Sequence, residues 1–170
     1  ICTMLLSIEM TADKRRKLME LYESAFPAEE RRPSDQMPPD DPAFRFYAIA
    51  DHGLLTAWEF PGVTYVEHFA VYPETRGNGI GSSVLAELQG AMILEVEPPE
   101  QSTEARRRIA FYERNGFRLL DVDYMQPSYA PGLPSIPLRL MLRGETDVDE
   151  AIRLIHSRVY RAGADTHRRS

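Results

Sequence analysis

The sequence has 170 residues, 43% of them hydrophobic, and a formal net charge of -6. This length and composition predict a single domain over residues 1–170 and exclude an intrinsically disordered chain. The acidic balance argues against a nucleic-acid partner, and no apolar run reaches the ~20 residues that cross a bilayer. The lone cysteine, Cys2, excludes an intrachain disulfide, so a reducing, cytoplasmic location is expected. No His, Cys or Asp cluster has metal-ligand spacing, and we expect no metal.

The first part of the sequence predicts a strand, a helix and a meander of three strands. A strand is expected over 4–9, and Thr11 caps a helix whose apolar face repeats at helical spacing up to Pro27. The stretch 29–42 is rich in Pro, Asp and Arg and predicts a loop. Apolar runs bounded by turn residues then predict three antiparallel strands, over 44–50, 54–60 and 63–71.

After residue 71 the apolar period changes, and helices alternate with strands. The predicted helices begin at caps or at a glycine-rich turn, and they cover 79–90, the stretch from Ser102 or Thr103 to Asn115, and 148–159. The predicted strands are short apolar runs, at 91–96, 117–123 and 138–142. A proline-rich loop covers 126–137, and the C-terminal extension, 143–170, has a loose end from about residue 162.

These elements predict a mixed α/β (α+β) fold with a mostly antiparallel central sheet flanked by helices. Strands 63–71 and 91–96 are predicted to run parallel, because the helix 79–90 connects them as a crossover. The glycine-rich turn follows the first of these strands, which places a candidate ligand site at the parallel pair.

The glycine-rich turn is the sharpest functional signal, and it reads Arg76-Gly77-Asn78-Gly79-Ile80-Gly81-Ser82. Glycines allow positive φ and a close backbone approach, while the N–H groups and dipole of a helix start favour an anion. A phosphate or pyrophosphate suits this place, with Arg76 as an added charge. Neither nucleotide motif fits, since the Walker lysine is missing and the spacing is not Gly-x-Gly-x-x-Gly. Taken alone, the sequence of the turn is also compatible with a glycine-rich turn that binds no ligand.

Two motifs here resemble those of the GNAT superfamily of N-acetyltransferases. Residues 66–73, the Arg76-x-x-Gly79-x-Gly81 turn and the helix after it resemble motif A, and residues 110–117 (AFYERNGF) resemble motif B. With the order of the flanking elements, the resemblance extends over roughly 4–142. It implies a GNAT-like fold and transfer of an acetyl group from acetyl-CoA to an amine.

The resemblance also implies how acetyl-CoA is held. Backbone amides from Gly77 to Ser82 would bind the pyrophosphate, and main-chain groups of Phe69, Ala70 and Val71 would pair with the pantetheine arm. Many members carry an Asn after the next strand, where this sequence has Glu97-Pro98-Pro99-Glu100, and we assign that role to no residue.

Acylation of an amine by a thioester needs a proton donor for the leaving thiolate. Tyr112 is the candidate acid, because a phenol can protonate a thiolate of similar basicity. The resemblance implies the same role, since the acid of the family is the tyrosine of motif B. A tyrosine that only packs in the core is the alternative.

Glu67 is the candidate base, acting on the amine through a water. Strand alternation places Glu67 on an otherwise apolar face and His68 on the opposite one, where a structural role is expected for the histidine. A salt-bridged Glu67 is the structural alternative, and Glu95 and Glu97 on the next strand are rival bases.

Direct attack of the amine in a ternary complex is preferred to an acyl intermediate on Cys2. The rival function is a catalytically silent acyl-CoA sensor on the same fold, and the intact glycine-rich turn argues against an interaction domain without a cofactor. The acceptor stays open between small-molecule and peptide amines. The oligomeric state is also open, with a homodimer as one option.

Overall fold

The structure, a computed structural model, describes residues 5–162, which form an eight-stranded sheet flanked by helices. The strands are β1 (Leu6–Ser7), β2 (Phe44–Ile49), β3 (Gly53–Phe60), β4 (Val63–Val71), β5 (Met92–Val96), β6 (Arg118–Leu119), β7 (Tyr124–Gln126) and β8 (Ile136–Arg143). The α-helices are α1 (Ala12–Ala25), α2 (Ile80–Glu87), α3 (Thr103–Arg114) and α4 (Val148–Leu154), which continues into a π-helical turn, Ile155–Val159. Short 3-10 turns lie at Ala28–Glu30, Ser34–Gln36 and Pro73–Thr75.

The sheet has the predicted mixed character. Its strand order is β1-β2-β3-β4-β5-β8-β6, with β7 paired to β8. The sheet is mostly antiparallel, and β4 and β5 form its one parallel pair. The Thr64 N–H, on β4, donates to the carbonyl of Ala91, just before β5, at 2.9 Å. The predicted crossover through the helix after the glycine-rich turn is therefore confirmed.

The described chain divides into two compact units, and the predicted single domain over 1–170 stays a prediction. The first unit contains the described residues up to Glu59 together with Val66–Gln89. The second contains Phe60–Tyr65 and the described residues from Gly90 onward. Cys2 and the predicted loose end beyond residue 162 lie outside the described residues. Within the described ranges, no helix is long and apolar enough to cross a membrane.

In the first unit, α1 forms where the sequence predicts it. The Thr11 side chain accepts a hydrogen bond from the Lys14 N–H at 3.1 Å, and Asp13 lies favourably in the first turn. The buried face of α1 packs into a core with residues of β2 and β3; this cluster is Leu18, Leu21, Tyr22, Phe46, Ala48 and Leu54.

In the second unit, α3 also follows its local signals. The Ser102 side chain caps it by accepting from the Ala105 N–H at 3.0 Å, and Ile109 and Tyr112 continue the buried stripe. Gly116, at φ +89°, takes the left-handed conformation that ends the helix.

The strands after α3 differ from the prediction. The strand expected over 117–123 is reduced to β6, and an additional strand, β7, lies directly before the loop expected over 126–137, with its last residue, Gln126, inside that range. Both short strands pair with β8, through Arg118 opposite Leu142 and Tyr124 opposite Leu138. Pairing with a distant strand sets these bounds, and the sequence of the short strands alone does not encode it.

Gly53 gives a test of the packing at the end of β4. A Cβ added there would lie 2.1 Å from the Ala70 carbonyl oxygen and 2.7 Å from the Val71 Cα, so the backbone would have to shift. We predict that Gly53→Ala lowers the free energy of unfolding by about 2–3 kcal/mol, as overpacking does. Denaturant unfolding measures it, with Gly132→Ala as the control. Gly132 has φ +89° and nothing within 4 Å, so only backbone strain of about 1 kcal/mol is expected. Equal losses in the two variants would contradict the steric argument.

Candidate active site

The glycine-rich turn leads from β4 into α2 within the first unit. Gly77 and Gly79 have φ values of +86° and +72°, a conformation that glycine adopts at little cost. The turn is braced on the preceding 3-10 turn, where the Asn78 side-chain amide donates to the Thr75 carbonyl at 3.3 Å. Arg76 through Gly79 are exposed, so the braced turn presents its backbone to solvent.

The start of α2 presents hydrogen-bond donors. Gly79 is the N-cap, and no side chain caps the helix. The Ser83 N–H is bonded to the Gly79 carbonyl at 3.1 Å, whereas the three preceding amides, of Ile80, Gly81 and Ser82, come too early for a partner within the helix. Three such donors and the helix dipole favour an anion at this helix start, and the predicted binding of a pyrophosphate here stays a prediction.

The end of β4 lies next to this turn in the chain. Phe69, Ala70 and Val71 are half-buried. The Tyr72 N–H donates to the His52 carbonyl at 2.7 Å, which ties the strand end to the turn between β2 and β3. The residues predicted to hold the cofactor thus follow one another along a fixed stretch of backbone, and their binding role stays a prediction.

The Glu67 side chain has no exposed surface. Its carboxylate accepts from the Trp58 indole N–H at 2.8 Å and pairs with the Arg32 guanidinium at 3.4 Å. Burial of an ionised carboxylate costs free energy unless charged or hydrogen-bonding partners replace water. Here the partners are one cation and one neutral donor.

The prediction that Glu67 and His68 lie on opposite faces is wrong. Thr56 and Trp58 are two residues apart on β3 and share a face, yet Thr56 contacts His68 and Trp58 contacts Glu67. The His68 Nδ1 also lies 4.0 Å from a Glu67 carboxylate oxygen. Regular alternation of β4 is therefore broken between the two residues, as a local bulge would do.

His68 is a neutral packing residue, as expected. Its Nε2 lies 2.8 Å from the Glu30 carbonyl, which can only accept, so this nitrogen carries the proton. Burial lowers the pKa of His68 despite the nearby Glu67 charge. The ring packs edge-on against Tyr22 and Phe26, at centroid distances of 4.8 and 4.6 Å. Arg32 is therefore the cation that compensates Glu67.

Tyr112 lies on the buried stripe of α3, in the second unit. Its ring packs against Phe111 and Phe117 at centroid distances of 5.2 and 5.4 Å. Within residues 5–162 its hydroxyl has no hydrogen-bond partner. Burial raises the pKa of Tyr112 to about 12, so the hydroxyl is protonated at neutral pH and available as a donor.

The rival base Glu95 is engaged by three tyrosine hydroxyls, all within the second unit. Tyr65 and Tyr160 donate to one carboxylate oxygen, and Tyr124 donates to the other at 2.5 Å. Burial and the Glu95 charge raise the pKa of Tyr124 and of Tyr160, so both keep the protons they donate. Glu97, the second rival, is half-buried and makes no contact of this kind with other described residues.

No sequence pattern singles out the partners of these two carboxylates. Arg32 lies in a loop without periodicity, and Tyr160 follows the last helix, 65 positions from Glu95. The one signal in the sequence is an ionisable residue on an otherwise apolar strand. The charge of such a residue requires a partner elsewhere in the fold, and the pattern does not show which residue it is. Among the described residues, no group of three or more His, Cys, Asp or Glu could hold a metal ion.

Comparisons with known proteins identify the family of this chain. Residues 42–119 match the family model described as the acetyltransferase (GNAT) domain. A protein from Bacteroides thetaiotaomicron assigned to the GNAT acetyltransferases has a structure with a TM-score of 0.83 and 32% identity, over 91% of this chain and 97% of that one. The chain therefore belongs to the GNAT acetyltransferase family.

Two further relatives are more distant. YjbC of Bacillus subtilis, assigned as an acetyltransferase, is 34% identical over 71 residues, which are 39% of this chain and 37% of YjbC. The chain thus matches little more than a third of that protein's length. Naa50 from Arabidopsis thaliana, solved with the bisubstrate analogue CoA-Ac-MVNAL, has a TM-score of 0.52 and 19% identity over 83% of this chain and 99% of that one. That likeness shows the fold alone.

Two Tyr→Phe substitutions test the surroundings of Glu95 and Tyr112. Tyr160→Phe removes a hydroxyl that donates to the Glu95 carboxylate at 2.6 Å, so we predict a loss of about 1.5–3 kcal/mol in the free energy of unfolding. Tyr112→Phe removes an unpartnered hydroxyl and should change stability by less than about 0.5 kcal/mol. Denaturant unfolding measures both. A Tyr160→Phe protein as stable as the parent would mean that the bond from the Tyr160 hydroxyl to Glu95 contributes nothing to stability.

Proposed function

We propose that the protein is an N-acetyltransferase that transfers an acetyl group from acetyl-CoA to a primary amine by direct attack in a ternary complex. Membership of the GNAT acetyltransferase family supports acetyl transfer. The observation that carries the proposal is the set of unbonded amides at the start of α2, directly after a turn of two left-handed glycines.

The donor site in this proposal is the glycine-rich turn and the strand end before it. The amides from Gly77 to Ser82 bind the pyrophosphate of acetyl-CoA, and Arg76 adds a charge-assisted contact. Main-chain groups of Phe69, Ala70 and Val71 pair with the pantetheine arm. The exposed turn and the fixed strand end support this assignment.

Tyr112 is the proposed general acid, which returns a proton to the sulfur when the thiolate leaves. Its unpartnered hydroxyl supports this role, since a proton already shared with a carboxylate would be less available. The raised pKa makes the phenol a weaker acid than tyrosine in water. Proton transfer to the thiolate is therefore less favourable from this buried phenol than from tyrosine in water, and the role depends on the hydroxyl's lack of a competing partner among the described residues.

Glu67 is the proposed general base, which accepts the proton of the attacking amine through a water. Its pairing with Arg32 and Trp58 keeps the carboxylate ionised, which is the form a base needs. Glu95 is a weaker candidate, because three donors already occupy its carboxylate. Glu97 remains the alternative base.

The acceptor is proposed to be an amine on a small molecule or a peptide. The bisubstrate analogue bound by Naa50 includes the residues MVNAL, which keeps a peptide acceptor among the options. We further propose a cytoplasmic location, and a homodimer remains one option for the assembly. A catalytically silent acyl-CoA sensor is the alternative function, and turnover of acetyl-CoA with a panel of amines, read by release of free thiol, distinguishes the two.

Gly79→Val tests the donor site. Gly79 has φ +72° and open space around an added Cβ, so a branched side chain would project where the pyrophosphate approaches. We predict at least a tenfold loss of acetyl-CoA affinity by calorimetry. Gly62→Val is the matched control, because Gly62 has φ +83° and equally open surroundings but lies in the turn between β3 and β4. Equal losses of acetyl-CoA affinity in the two variants would show that backbone strain causes the effect. The glycine-rich turn would then no longer be supported as the pyrophosphate site.

Tyr112→Phe tests the acid. The ring packing is retained and the proton donor is lost, so kcat should fall by at least about tenfold with little change in acetyl-CoA affinity. Steady-state kinetics with an amine found in the panel measure it. Near-normal turnover would show that solvent or another group protonates the thiolate, and the acid assignment would be withdrawn.

A further inference from the structure

Arg32 is a buried cation that pairs with the proposed base. It lies in the loop between α1 and β2, and only 6% of its side chain is exposed. A guanidinium is rarely buried unless it is paired, and a proline-rich loop offers no helix or strand to hold it. The contacts around Arg32 show what this burial accomplishes.

The loop is fixed at Arg32 and two residues before it. The Arg32 backbone N–H donates to the Tyr22 hydroxyl of α1 at 2.7 Å. Two residues earlier, the Glu30 carbonyl accepts the His68 Nε2–H at 2.8 Å. The backbone at Arg32 is thus tied to α1 and to the residue next to Glu67, so the guanidinium has little freedom to leave.

The guanidinium and the indole of Trp58 hold the Glu67 carboxylate together. Arg32 Nη1 lies 3.4 Å from each of the two carboxylate oxygens. Trp58 donates its N–H to the carboxylate at 2.8 Å, and its ring lies under the Arg32 guanidinium at 5.7 Å. One tryptophan therefore orients both the anion and the cation.

We propose that Arg32 is the positioning residue of the general base, which keeps Glu67 ionised and in one orientation. The proposal rests on the proposed function in naming Glu67 as the base. The titratable groups that face Glu67 include Arg32 from the loop, His68 from β4 and Tyr22 from α1. Of these, only Arg32 is charged at neutral pH, because His68 is held neutral and Tyr22 is a protonated phenol.

The single tryptophan makes the proposal measurable without turnover. Trp58 is the only tryptophan in the sequence, and its indole N–H bonds to Glu67, so its fluorescence should change when Glu67 is protonated. A pH titration of the full chain should show one acid transition that is absent in Glu67→Gln. In Arg32→Met the midpoint should move to higher pH by about one to two units, because loss of the cation favours the protonated acid.

Two variants complete the design. Arg31→Met is the matched control. The Arg31 side chain donates to the Phe26 carbonyl at 3.1 Å, so this variant should keep the midpoint of the Trp58 fluorescence titration seen in the parent protein. Arg32→Lys keeps a cation but loses the planar fork, so a smaller upward shift is expected. If Arg32→Met does not fold, Arg32→Lys carries the test. A midpoint at or below that of the parent in the folded variants would overturn the proposal.

Kinetics then separate the proposal from the function on which it rests. In the Arg32 variants, the acidic limb of the pH profile of kcat/KM should move together with the midpoint of the Trp58 fluorescence titration. A shifted Trp58 midpoint with an unmoved limb would show that Glu67 is not the base, which overturns the catalytic role of Arg32 through the proposed function. An unmoved Trp58 midpoint would overturn the pairing itself, whatever the kinetics show.

Discussion

The buried charge of Glu67 is the constraint on which the first unit depends. An ionised carboxylate without solvent contact destabilises the folded state unless a partner compensates it. Arg32 is the charged partner, and it reaches Glu67 only if the loop after α1 folds back onto β4. That requirement explains why a proline-rich loop without periodicity is ordered around two 3-10 turns. The Glu67 carboxylate thus contributes to the order of the loop, together with the bonds that Tyr22 and His68 make to the loop backbone.

The second unit meets the same requirement at Glu95 in a different way. Three phenols stabilise this carboxylate, and they come from β4, from β7 and from the residue after the π-helical turn. These three donors are neutral hydroxyls, whereas Arg32 brings a positive charge to Glu67. Glu95 thereby holds Tyr160, within the C-terminal extension, and the described part of that extension is attached to its unit at this residue.

Several features could be predicted from the sequence because their causes are local. The cap of α1 at Thr11 depends on one side chain and an amide three residues away. The turn at Gly77 and Gly79 depends on φ values that only glycine adopts readily. The parallel direction of β5 follows from the single short crossover through α2. These local signals led to the mixed sheet and, through the motif resemblance, to the family.

The tertiary structure alone decided which groups meet. Strand periodicity placed Glu67 and His68 on opposite faces, but pairing with β3 and packing against α1 turn both to one side. The choice of Arg32 as partner is equally non-local, because 35 positions separate it from Glu67. The same holds for β6 and β7, whose bounds are set by pairing with β8. The sequence by itself determined where a charge had to be compensated, and only folding, which brings distant residues together, determined which residue compensates it.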